Sequence, residues 1–190
     1  MPRGLTLPAH RLPHPPGRLA LPGLPEQPRI TPPPSRTPLD VFNTAPAEEA
    51  RRTLFACLRS SRWVHRLAAH RPYPDLGALV AASDEAAYDL TPGDLAEALA
   101  GESMPTLPAD TYEAAHTALS AAHAAYEARF GHAFVVCLDG VTRQEALDHV
   151  LAGIRSRLAN DAEEERVVAA EELRRLAGQR LVRRLGGGGR

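Results

Sequence analysis

The chain has 190 residues, 44% of them apolar, with a formal net charge of −1; this suits one domain of ordinary size with a tail. Every basic residue is Arg, in a chain rich in Ala, Pro and Leu; that reads as a GC-rich coding bias, and without a basic stripe interleaved with aromatics no nucleic-acid partner is expected. No apolar run approaches the ~20 residues of a bilayer span, and Cys57 and Cys137 stand far apart without companion ligands, so no membrane segment, disulfide or metal site is expected and both cysteines read as buried thiols in a reducing compartment.

Residues 1–38 hold most of the prolines, including Pro15-Pro16 and Pro32-Pro33-Pro34. Proline supplies no amide donor, so this stretch is expected to be a disordered or polyproline-like arm. Its prolines also interrupt any apolar core of a secretory signal, and the protein is expected to be cytoplasmic. The helical domain is expected over 39–185, with 186–190 a flexible glycine tail. Asn43 or Thr44 is read as the cap of a helix over Ala47–Leu58, with Glu48 and Glu49 in its first turn. Trp63, Val64 and Leu67 mark a second short helix that stops before Pro72, and Asp75 opens a third with Leu76, Leu79 and Val80 inward. Thr91-Pro92-Gly93-Asp94 combines a cap, a first-turn proline and an acid three residues on, so a helix starts there and breaks at Gly101.

After the proline-punctuated Glu102–Pro108 loop, a helix from about Asp110 to Phe130 carries Tyr112, Ala115, Leu119, Ala122 and Tyr126 as one apolar seam. Gly131 ends it, since glycine accepts the left-handed conformation beyond a helix terminus. The β-branched and aromatic run Ala133–Leu138 is then expected to be extended. Its amides need partners that no second strand supplies, which makes it a candidate ligand cradle. Asp139-Gly140 turns the chain, and Thr142 with Glu145 forms a capping box before a helix with Leu147, Val150, Leu151, Ile154 and Leu158 on one face. Asn160 or Asp161 caps the last helix, whose acids Glu163, Glu164 and Glu165 begin it and whose Arg180, Arg183 and Arg184 end it, in accord with its dipole. The reading is an all-α bundle of seven or eight helices with one short extended segment.

Few residues stand out chemically. His116 and His123 are seven apart, roughly 10 Å along a helix axis, too far to share a metal, and read as flanks of the apolar seam. His65, His70 and His149 read as surface residues. His132 begins the extended segment, where a ligand would sit. Along the last helix Leu173, Leu176 and Arg180 follow the spacing of a buried line, so a guanidinium falls where an apolar side chain belongs. It either meets a ligand carboxylate or an acid of a neighbouring helix, or it snorkels past the helix end.

Several motifs together resemble the OHCU decarboxylases (2-oxo-4-hydroxy-4-carboxy-5-ureidoimidazoline decarboxylases) of urate breakdown. They are Phe42-Asn43, Trp63 in SSRW, Arg71-Pro72 followed by Asp75-Leu76, YEARFGHAFVV over 126–136, Arg157-Leu158-Ala159-Asn160-Asp161, and Arg180-Leu181. The resemblance implies an all-α, usually dimeric protein that needs no metal or cofactor. It implies removal of the substrate carboxylate and protonation of one face to give (S)-allantoin. It also implies substrate contacts from Phe134, Val135, Val136, Cys137, Leu138 and Arg180. The sequence departs from the family in two places. The catalytic His-Pro after the DLAEALAG helix is replaced by Glu102-Ser103, and the Ser-x-x-Glu-Gln element has no counterpart. Glu102, just past a helix C-terminus, and His132 are therefore the candidate proton donors. Two other readings stay open: an inactive relative that binds a small carboxylated ligand or a partner subunit, and a helical interaction module with a proline-rich arm. The enzymatic reading requires Arg180 and the extended segment to face each other across one cavity.

Overall fold

A computed structural model describes residues 36–103 and 113–187. Most of the proline-rich arm, most of the Glu102–Pro108 loop, Asp110, Tyr112 and the end of the glycine tail lie outside the described residues. Those that are described contain eight helices and no strand: α1 Pro38–Thr44, α2 Ala47–Phe55, α3 Ser61–Ala69, α4 Leu76–Tyr88, α5 Pro92–Ala100, α6 Glu113–Phe130, α7 Ala146–Arg157 and α8 Ala162–Leu185. No helix among them is long and apolar enough to cross a membrane.

Caps set most of the boundaries. Thr37, Thr91 and Asp161 each form a reciprocal box with the acid three residues on, Asp40, Asp94 and Glu164; Ser60 and Asp75 cap α3 and α4 from their side chains. The start of the domain departs from expectation. Asn43 and Thr44 belong to α1, and the N-cap of α2 is Pro46, which has no side chain to cap with. Thr44 instead bonds back to the Asp40 carbonyl at 2.8 Å, while Asn43 donates to the Tyr73 carbonyl at 2.8 Å and accepts from the Tyr73 amide at 2.9 Å. The Thr142–Glu145 box also forms, but it closes a turn, and α7 begins only at Ala146.

The apolar faces meet in two cores. One gathers Phe42, Leu54, Leu58, Trp63, Leu67, Leu79 and Leu99 against Ala169, Leu173, Ala177 and Leu181 of α8. Its Trp63 indole N–H donates to the Ser83 carbonyl at 3.1 Å, so the buried ring leaves no polar atom unpaired. The other joins Leu119 and Tyr126 of α6 to Ala146, Val150 and Ile154 of α7. The segment after Gly131 runs between them: Phe134, Val136 and Leu138 pack with the second core and Val135 with the first. Side chains alternating between two faces are what an extended chain presents, and this alternation places the segment where both cores touch it.

Candidate functional site

Among the described residues no strand neighbours the segment 133–138, and three helices supply side chains to its backbone instead. The Phe134 N–H donates to His123 Nε2 of α6 at 3.2 Å. The Val135 carbonyl accepts from Arg157 Nη1 of α7 at 2.6 Å. The Cys137 N–H donates to Glu172 Oε2 of α8 at 2.6 Å. With Nε2 accepting, the proton of the neutral imidazole lies on Nδ1, which faces Glu127 Oε1 at 3.5 Å. His123 therefore anchors the segment, a role its position beside the apolar seam did not announce.

Arg157 is itself held by a buried network. Its Nε donates to Glu165 Oε1 at 2.9 Å, its Nη2 to the Tyr126 hydroxyl at 3.1 Å, and Asn160 Nδ2 reaches Glu165 Oε2 at 2.9 Å. The Tyr126 hydroxyl completes the ring by donating to Glu165. Burial and that bond to Glu165 push the Tyr126 pKa far above its ordinary 10. The guanidinium also lies 4.5 Å over the Phe134 ring, on which Gly153 closes from α7: a Cβ there would stand 3.1 Å from Phe134 Cζ. Segment position is thus fixed by polar bonds on its backbone and by close packing of one ring.

Beside the segment lies a cavity of about 360 Å³, lined by Glu102, Phe134, Val135, Val136, Leu138 and Arg180 among others. Among the described residues, the N–H groups of Val135 and Val136 and the carbonyl of Val136 have no partner. Residues that line the cavity thus carry backbone groups without a protein partner. Arg180, half-buried on α8, forks onto Glu102: Nη1 meets Oε1 and Nη2 meets Oε2, each at 2.7 Å, while Nη1 also donates to the Cys57 carbonyl at 2.9 Å. The Glu102 bond holds the Arg180 pKa above its ordinary value. So the unusual arginine has the neighbouring acid foreseen for it, and the pair together lines the cavity.

The other candidates are not brought together. His132 opens onto a separate hollow with Leu99, Phe130 and Arg166. The turn at Gly131, φ +77°, directs it there, its Nδ1 lies 3.0 Å from the Ala133 carbonyl, and its ring packs edge-on against Tyr126 at 5.5 Å. Cys137, read as a buried thiol, is only half-buried; it lines a second, adjoining groove of about 650 Å³ and its amide is taken by Glu172. Cys57 is buried, and burial raises its thiol pKa. Among the described residues no His, Cys, Asp and Glu cluster offers a metal site.

Comparison with known proteins identifies the family and the fold. The OHCU decarboxylase family profile matches residues 43–107 and 105–182. No curated protein matches the sequence directly. Among solved structures, the fold is similar to the crystal structure of OHCU decarboxylase in the presence of (S)-allantoin, with a TM-score of 0.63 and 19% identity over 75% of this chain and 99% of that one. It is also similar to the crystal structure of (S)-allantoin synthase, with a TM-score of 0.59 and 19% identity over 77% of this chain and 54% of that one. The chain therefore spans about half the length of that synthase.

Proposed function

This chain belongs to the OHCU decarboxylase family, and from that membership we propose that it decarboxylates 2-oxo-4-hydroxy-4-carboxy-5-ureidoimidazoline to (S)-allantoin in urate catabolism. The observation that carries the reading is the shared cavity, lined by Val135 and Val136 of the segment on one side and by Arg180 on the other. A guanidinium fork matches a carboxylate in shape and charge. Unpaired N–H and C=O groups on residues that line the cavity are the kind of partner that the amide edges of a ureidoimidazoline ring require. Breaking the C–CO₂⁻ bond releases carbon dioxide and leaves the electron pair on the ring. A proton then goes to one face of the ring, and only that delivery makes the product chiral.

Glu102 is assigned this delivery. Among the described residues it is the carboxyl lining the cavity, whereas His132 opens elsewhere. A positioned proton donor contributes roughly 10² to 10⁴ in rate, so Glu102→Gln is expected to lose about that much turnover. A homodimer belongs to the same reading and rests on the family alone.

The test is to generate substrate in place from urate with urate oxidase and hydroxyisourate hydrolase, and to follow allantoin by circular dichroism. Formation of (S)-allantoin faster than the spontaneous racemate is the expected result; a racemate at the uncatalysed rate removes the enzymatic reading. One observation favours a second reading, a relative that binds a carboxylated ligand without turnover. The family's His-Pro position carries Glu102-Ser103, and Glu102 occupies the arginine fork. Calorimetric binding of a carboxylated ring by a chain that yields only racemate would single it out.

A further inference from the structure

The anion-binding group of the cavity is already satisfied by the protein's own chain. Both Nη atoms of Arg180 donate to Glu102, one to each carboxylate oxygen at 2.7 Å, in the two-pronged geometry that an incoming carboxylate would need for itself. The Glu102 side chain is only 8% exposed. It lies at the C-terminal end of α5, directly after the cap Gly101, so the backbone tethers it beside the fork. A tethered group competes at a high effective concentration set by its tether.

We propose that Glu102 is a resident competitor for the substrate carboxylate, and thereby a determinant of specificity: the ligand binds by taking the Arg180 fork from Glu102. The proposal rests on the decarboxylase reading for the identity of the substrate, but its binding half does not need turnover. Its first consequence is selection. A neutral ring has nothing to offer the guanidinium in exchange for a bidentate carboxylate, whereas a carboxylated ring replaces one ion pair with another.

The second consequence concerns the rate. A guanidinium grips the full charge of a bound carboxylate more strongly than the fading charge of departing carbon dioxide. That stabilises the ground state more than the transition state and works against turnover. Competition from Glu102 weakens the ground-state grip without weakening anything formed later. The exchange also moves the Glu102 carboxylate off the guanidinium and next to the ring, where it relays a proton from a water molecule to the carbanion while the hydroxide left behind adds to the departing carbon dioxide as bicarbonate. When carbon dioxide leaves, the remaining ring carries no carboxylate, and the ionised Glu102 returns to the fork as the product departs.

The experiment is calorimetric titration of the full chain with orotate, a planar ring bearing a carboxylate, and with uracil, the same ring without it. Glu102→Gln keeps the shape of the side chain and removes its charge. It is expected to bind orotate about tenfold or more tightly than wild type, with uracil binding unchanged. Arg180→Gln is expected to abolish orotate binding in either background. Orotate affinity in Glu102→Gln that equals or falls below wild type, or no orotate binding by either protein, overturns the proposal. Should Glu102→Gln not fold, Glu102→Asp, whose shorter carboxylate reaches the fork less well, is expected to shift orotate affinity in the same direction.

In the allantoin assay, Glu102→Gln is expected to lower KM and kcat together; a purely structural pair would leave KM level or raise it. If wild type gives only racemic allantoin while orotate binding still tightens in Glu102→Gln, the decarboxylase reading falls and the competitor stands. An (S) excess with unchanged orotate affinity gives the reverse.

Discussion

Glu165 shows how a residue's position in sequence can hide its role. As the third acid at the start of α8 it looks like one more charge placed for the helix dipole, yet it is 1% exposed and takes hydrogen bonds from Arg157, Asn160 and Tyr126. Its solvated neighbours Glu163 and Glu164 differ from it only in the direction their position on the helix gives them. Removing one partner of a buried, hydrogen-bonded ion pair leaves the other charge uncompensated, at a cost of about 3–5 kcal/mol. Glu165→Gln is therefore expected to lower the unfolding free energy by roughly that amount in urea denaturation; a loss below about 1 kcal/mol would mean the network is dispensable. Arg180 was visible in the sequence because an arginine interrupted an apolar spacing. His123 and Glu165 were not, because each sits where a surface or dipole role explains it equally well. Only the chain they reach for, distant in sequence, tells the roles apart.

At the scale of elements, local chemistry was the best guide. Thr91-Pro92-Gly93-Asp94 announces α5, and the same pattern at Thr37-Pro38-Leu39-Asp40 starts α1. The second instance was masked by the prolines before it, so the fold begins one short helix earlier than the apolar pattern indicated. The boxes also carry a pH dependence. Hydrogen bonds from the Thr37 amide and hydroxyl, and from the hydroxyls and amides of Thr91 and Thr142, hold Asp40, Asp94 and Glu145 below their ordinary values of 3.8, 3.8 and 4.5. A carboxyl whose folded pKa is depressed contributes stability that is fully present above its unfolded pKa and is lost as pH falls through the folded one. Stability should thus decline on acidification below about pH 4. Asp94→Asn should lower the urea midpoint at pH 7 and approach wild type at pH 3, and an equal deficit at both pH values would contradict the assignment.

For the whole molecule, the organising feature is a non-helical strip held between two helical cores. Its existence was legible, because Gly131 and a β-branched run among alanines and leucines break the helical pattern. Its anchors were not, since they come from α6, α7 and α8, and periodicity within one element says nothing about what that element reaches across to. The cavity follows from the same arrangement: α8 carries Arg180, Glu102 follows the end of α5, and residues of the strip line the space beside them. The central claim is that this cavity performs a decarboxylation and not merely that the fold resembles proteins that do. The most direct measurement is the circular dichroism of allantoin formed from enzymatically generated substrate, comparing wild type with Arg180→Gln after far-ultraviolet spectra have established that both are folded. The account predicts an excess of (S)-allantoin with wild type and the spontaneous racemate with Arg180→Gln; a racemate from wild type, or an undiminished (S) excess without Arg180, would contradict it.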